Sequence, residues 1–185
     1  MKKLVNGLSI FRIIAAFALL PMMFLQLWGM ALILFVLAAA SDYADGYLAR
    51  RFKATSKLGG VLDHTGDKFL VAISLLIAML AVQTPLVISL VAIMICRDLF
   101  VSGLREFMGS QKMELPVDKT GKLKTVAQLV ALMIFFLFFY IYMNDMMIDA
   151  QETVLDSAIA MLGVSAALSV WSAAGYTIKA IRKMK

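Results

Sequence analysis

Four stretches of this chain carry no charged side chain: residues 13–41, 69–96, 125–144 and 157–178. A helix that crosses the roughly 30 Å hydrocarbon core of a bilayer needs about 20 mainly apolar residues, at 1.5 Å per residue. The last two stretches are each about one span long. The first two, at nearly thirty residues, are too long for one span and slightly short for two. Each breaks near its middle, at Gln26-Leu27-Trp28-Gly29 and at Gln83-Thr84-Pro85. Each therefore reads as a helical hairpin whose outer ends continue into charged sequence. The expectation is an all-α polytopic membrane protein with six transmembrane helices, over residues 6–26, 29–52, 58–82, 86–110, 119–143 and 154–180, forming one domain over 1–185.

Composition agrees. Hydrophobic residues make up 62% of the 185 and charged residues 16%, against about 45–50% and about 25% in soluble domains. Too few polar side chains exist to cover a water-facing globule, which excludes a disordered chain and an ordinary soluble enzyme. The single cysteine, Cys96, excludes a disulfide scaffold.

The Lys and Arg residues fall in four clusters: Lys2, Lys3 and Arg12, then 50–68, 97–124 and 179–185. With six spans, all four clusters lie on one side, and the loop before the sixth span holds Asp145, Asp149, Glu152 and Asp156 on the other. The positive-inside rule then makes both termini cytoplasmic, in a cell (inner) membrane. The start, Met1-Lys2-Lys3 before an apolar run, has the outline of a signal peptide. Arg12 interrupts that run and no small-residue cleavage site precedes a polar mature start, so it reads as the first span. The basic residues are scattered along one membrane edge, which gives no footprint for nucleic acid.

The chemistry concentrates in four carboxylates. Asp42 and Asp45 are three apart, Asp63 and Asp67 four apart, and both spacings put a pair on one helix face. They occupy the cytoplasmic ends of two neighbouring spans, where they can converge. Ionisable residues in membrane segments are costly and mark function by default. A cluster of oxygen donors suits hard divalent cations, Mg²⁺ first and Mn²⁺ next, and two ions sharing carboxylates match in-line displacement at phosphorus. The bland alternative pairs these aspartates with Arg50, Arg51, Lys53, Lys57 and Lys68, but ion pairing needs neither two carboxylate pairs in register nor small residues between them. Gly46, Ala49, Gly59 and Gly60 remove bulk beside the carboxylates, so a flat group can approach the backbone.

These residues, Asp42-x-x-Asp45-Gly46-x-x-Ala49-Arg50, then eight residues, then Gly59-x-x-x-Asp63-x-x-x-Asp67, resemble in full the signature of the CDP-alcohol phosphotransferases. The resemblance extends to Asn6-x-x-Ser9-x-x-Arg12, similar to the family's N-terminal segment. Residues 97–107 and 121–128 look like its bacterial phosphatidylglycerophosphate synthase branch. One departure is His64, where relatives often have Pro. The resemblance implies that Asp42, Asp45 and Asp63 bind two metal ions, with Asp67 as general base and a further ligand. It implies that Gly46 and Ala49 make room for cytidine, that Arg50 holds the diphosphate of CDP-diacylglycerol, that Gly59 belongs to the same binding site, and that Asn6, Ser9 and Ser56 contact the CDP moiety. It also implies a homodimer among membrane lipids.

Acceptor choice rests on a second basic set. Arg97 and Arg105 are eight apart, near two turns, and share a face of the fourth helix. Lys122 and Lys124 enter the fifth. Four cations beside the carboxylates point to a phosphate on the acceptor, as in sn-glycerol 3-phosphate. Topology-setting charges paired with Asp98, Glu106 and Asp118 are the competing reading. The reaction expected is transfer of a phosphatidyl group to glycerol 3-phosphate with release of CMP. The alternatives are inositol phosphate, serine or phosphatidylglycerol as acceptor, or a divalent-cation transporter. Against the last, the carboxylates sit at one membrane face rather than at the midplane. Gly163, Ser165, Ala166, Ser172 and Ala173 are small enough for close helix contact. The aromatic run 135–140 is expected at lipid-facing and packing surfaces, ending in an interfacial belt at Tyr140 and Tyr142.

Overall fold

The computed structural model describes the backbone of residues 2–52, 57–113 and 119–184, and side chains from residue 7 onward except 42–58, 60, 62–64 and 114–119. Among the described residues there are six long helices: α1 (Lys2–Phe24), α2 (Trp28–Phe52), α3 (Lys57–Val82), α4 (Pro85–Ser110), α5 (Lys119–Met143) and α6 (Gln151–Met184). A 3-10 turn, Ile148–Ala150, precedes α6. The two hairpin breaks fall where the sequence puts them. Gln26 and Gln83 take the left-handed backbone conformation, with φ of 57° and 53°, that ends a helix. Thr84 then caps α4, its side chain accepting from Val87 N at 3.4 Å, and Pro85 opens the helix where no intrahelical N–H is needed.

Among the described residues, five helices are long and apolar enough to cross a membrane, and the described apolar part of α2, Trp28–Ser41, is shorter. Large apolar side chains such as Ile14, Ile33, Leu99 and Trp171 stand exposed on the outer faces, as expected where lipid is the outer solvent. The build is that of a polytopic membrane protein.

The helices pack as a ring in the order α1, α2, α5, α6, α4, α3. Its apolar end is aromatic. Trp28 stacks on Phe139 with centroids 4.4 Å apart, and Phe35 meets Phe136 at 5.2 Å. These pairs fix α2 and α5 antiparallel. The approach is close because position 29 is glycine: a Cβ there would lie 2.9 Å from the Tyr140 ring. Phe135, Phe136, Phe138 and Phe139 are all buried, so the run packs inward, while Tyr142 is exposed. The small residues of α6 serve contacts within this chain: Ser165 Oγ lies 3.4 Å from Met94 Sδ and from the Lys124 carbonyl.

The opposite end is polar. A Cβ on Gly66 would lie 3.2 Å from the Ser9 carbonyl, so the N-terminal halves of α1 and α3 run side by side. Arg105 on α4 and Gly121 on α5 both meet Tyr176 of α6. One end of the ring thus gathers the starts of α1, α3 and α5 with the ends of α4 and α6.

Candidate active site

Where α3, α4, α5 and α6 meet at the polar end lies a cavity of about 210 Å³. It is smaller than the roughly 300–1,000 Å³ of pockets for drug-sized ligands. Its wall joins Asp67 and Lys68 of α3 to Arg97, Asp98, Ser102 and Arg105 of α4. Gly121, Lys124, Thr125 and Gln128 of α5, Tyr176 of α6 and the apolar Val71 and Val101 also line it. Helical spacing explains the convergence: Arg97 and Arg105 face α6 two turns apart, and Gly121, Lys124 and Gln128 form one stripe along α5.

The cations are held rather than free. Arg97 donates from Nε to the Ser169 carbonyl at 3.0 Å, from Nη1 to Asp98 at 2.9 Å, and from Nη2 to Ser172 Oγ. Arg105 Nη2 donates to the Tyr176 hydroxyl at 3.1 Å, and its guanidinium lies 5.0 Å from the Tyr176 ring centre. Lys124, almost fully buried, donates to both Asp98 carboxylate oxygens at 2.7 Å. Lys68 donates to Ser102 Oγ, which donates onward to the Asp98 carbonyl at 2.5 Å. Asp98 thus neutralises part of the cluster, as the topological reading of Arg97 and Lys124 anticipated. Among the described residues that line the cavity, four cations, Lys68, Arg97, Arg105 and Lys124, face two carboxylates, Asp98 and Asp67.

Asp67 is positioned from α1. Arg12, fully buried, forms an ion pair with its Oδ1, and the Asp67 side chain keeps 44% exposure toward the cavity mouth. Ser9, one turn earlier, is fully buried. Of the other residues singled out in the sequence, Gly59 is buried in the first turn of α3. Lys122 is exposed and does not line the cavity. The helical backbone carries Asp42, Asp45, Gly46, Ala49 and Arg50 on α2, Asp63 on α3 and Asn6 on α1, but their side chains, and Ser56 altogether, lie outside the described residues. Among the described residues no group of three metal-ligating side chains occurs. The donor chemistry of the four aspartates, on helices that pack together, fits a hard divalent cation.

Reading the sequence missed Lys68, Ser102, Gln128 and Tyr176 as cavity residues. A signal existed for Gln128, a polar amide inside an otherwise apolar span. None existed for Tyr176, which enters only through the packing of α4 on α6.

The CDP-alcohol phosphatidyltransferase family model matches residues 2–171. The chain belongs to that family. Its curated relatives include three bacterial proteins, each named CDP-diacylglycerol–glycerol-3-phosphate 3-phosphatidyltransferase. The Cereibacter sphaeroides protein is 44% identical over 137 residues, 71% of this chain and 62% of the relative. The Sodalis glossinidius protein is 34% identical and the Pectobacterium atrosepticum protein 32%, each over 76% of this chain and 72% of the relative. The matched stretch thus spans less than two thirds of the Cereibacter protein. In this chain the backbone positions of the signature aspartates and the cation-lined cavity fall at the same end of the helix ring.

Proposed function

We propose that this chain is a phosphatidyltransferase that moves the phosphatidyl group of CDP-diacylglycerol to sn-glycerol 3-phosphate, giving phosphatidylglycerophosphate and CMP. The observation that carries this reading is the single cavity that joins Asp67 to Lys68, Arg97, Arg105 and Lys124. A carboxylate able to take a proton and a cation set able to take a phosphate share one wall. That is what an acceptor with a hydroxyl at one end and a phosphate at the other requires. The three relatives bear the name of this activity.

In the proposed reaction the acceptor phosphate sits among Lys68, Arg97, Arg105 and Lys124. Asp67 Oδ accepts the proton of the primary hydroxyl. The hydroxyl oxygen bonds in line to the β-phosphorus, the bond from that phosphorus to the bridging oxygen breaks, and CMP leaves. Arg50, with Asn6, Ser9 and Ser56, holds the CDP moiety, Gly46 and Ala49 leave room for the cytidine, and Gly59 lies beside them in the CDP-diacylglycerol site. The family generally depends on a divalent metal; here Asp42, Asp45, Asp63 and Asp67 would hold it as Mg²⁺ or Mn²⁺. When bound, it supplies charge neutralisation at the diphosphate.

Six spans, both termini and the active site on the cytoplasmic side, and a homodimer complete the proposal. The convergence of basic residues at one end of the ring supports that orientation. The test is release of CMP from CDP-diacylglycerol by the detergent-purified protein with Mg²⁺. Release should depend on glycerol 3-phosphate and stop on chelation. CMP release that ignores the acceptor, or none from folded protein, contradicts the reading.

A further inference from the structure

Of the α5 residues that line the cavity, Gln128 lies furthest along the helix, one turn beyond Lys124 and about 10 Å from Gly121 at 1.5 Å per residue. Its side chain is fully buried. Neither its Oε1 nor its Nε2 has a hydrogen-bond partner among the described residues. Buried amides are nearly always hydrogen-bonded, and leaving both ends unmatched in a membrane interior is expensive. An apolar residue of similar size would fill that volume at no such cost. The amide is therefore matched to something that enters the cavity, and it offers that guest N–H donors on Nε2 and a carbonyl acceptor in Oε1.

The cavity chemistry identifies the guest group. The four cations are complementary to a phosphate, and Asp67 to the hydroxyl that gives up its proton. A neutral group that both donates and accepts is complementary to a hydroxyl, which both gives and takes a hydrogen bond. We propose that Gln128 is the specificity-determining residue that binds the spectator secondary hydroxyl of the acceptor. This rests on the function proposed above and deepens it. Phosphate, attacking hydroxyl and spectator hydroxyl then make three points of attachment, enough to fix the handedness of a three-carbon acceptor. A site built to bond a substrate hydroxyl discriminates against the analogue that lacks it, because the protein's own buried groups stay unpaired.

The experiment compares sn-glycerol 3-phosphate with 3-hydroxypropyl phosphate, which keeps the phosphate and the primary hydroxyl and lacks the secondary one. The readout is the ratio of kcat/KM for the two acceptors, in the wild-type protein and in Gln128→Met and Gln128→Leu. Because each ratio comes from one preparation, partial misfolding of a variant cancels. The wild type should prefer the hydroxylated acceptor by about tenfold to a hundredfold, the range for an unpaired buried group. In both variants the ratio should fall toward one, and discrimination against the mirror-image acceptor, sn-glycerol 1-phosphate, should shrink with it. An unchanged ratio in the variants, or a wild type indifferent to the secondary hydroxyl, overturns the role of Gln128 while leaving the transferase intact. A wild type that releases no CMP with glycerol 3-phosphate refutes the underlying function instead.

Discussion

Arg12 of α1 forms an ion pair with Asp67 of α3, and the two ends of that pair live in different surroundings. The guanidinium is fully buried, whereas the carboxylate side chain is 44% exposed at the cavity. A charge locked in the helix interface thus fixes the carboxylate proposed as base, and a change to either member should act on both stability and activity.

Asp67→Asn should therefore do two things. It should abolish CMP release, because the amide cannot take the proton. It should also destabilise the fold by about 1–3 kcal/mol, since a buried guanidinium loses a charged partner and solvent reaches only the other side. That corresponds to several degrees of melting temperature for a chain of this size. Thermal melting in detergent beside the CMP assay checks both. A variant that is inactive and melts like the wild type would break the link to Arg12. Arg12→Lys should retain part of the stability and lose most of the activity, because an ammonium lacks the guanidinium's forked geometry.

Lys124 and Lys122 should behave differently although they are two residues apart. Lys124 is nearly buried and lines the cavity, whereas Lys122 is exposed. Lys124→Met should raise the KM for glycerol 3-phosphate about tenfold or more, the value of a hydrogen bond to a charged group. The effect of Lys122→Met should be at least about fivefold smaller, as for an exposed charge. Steady-state kinetics with varied acceptor at saturating CDP-diacylglycerol decides. Equal effects would mean that the acceptor phosphate is bound outside the cavity.

Two glycines separate packing from chemistry. At Gly66 an added Cβ meets the Ser9 backbone carbonyl at 3.2 Å, a contact that cannot swing away, and the next residue is Asp67. Gly66→Ala should cost about 1–3 kcal/mol, as overpacking does, and reduce activity with it. At Gly29 the Cβ meets the Tyr140 ring, at the far end of the ring of helices. Gly29→Ala should cost a similar amount and leave the activity per folded molecule near the wild-type value. Gly103, with nothing within 4 Å, is the control: Ala there should stabilise α4 by about 0.5–1 kcal/mol. Melting curves and specific activity of the three variants test the set.

The helices were legible because charge is absent over long stretches and returns abruptly. Gln26 and Gln83 mark the hairpin turns, and α5 begins and ends at the residues expected, 119 and 143. The outer ends of α1 and α6 run a few residues further, since amphipathic ends that leave the apolar layer carry no hydropathy signal. That Arg97 and Arg105 share one face of α4 could be read from spacing alone. The ring order could not: it depends on which grooves accept which ridges, as Gly29 accepts Tyr140 and Ser172 accepts Arg97. That order is what brings Tyr176 and Lys68 beside Arg105 and Lys124, and no periodicity within one helix encodes it.

The central claim is that one cavity holds a base and a phosphate site for the same acceptor. Its most direct test is CMP release from CDP-diacylglycerol and Mg²⁺ with glycerol 3-phosphate, inositol phosphate, serine and phosphatidylglycerol side by side. The wild type and Arg97→Met should be compared across that panel. The account predicts release with glycerol 3-phosphate only, and its loss in Arg97→Met, which removes the cation that bridges Asp98, Ser169 and Ser172. Release with serine or with phosphatidylglycerol, undiminished in Arg97→Met, would contradict it.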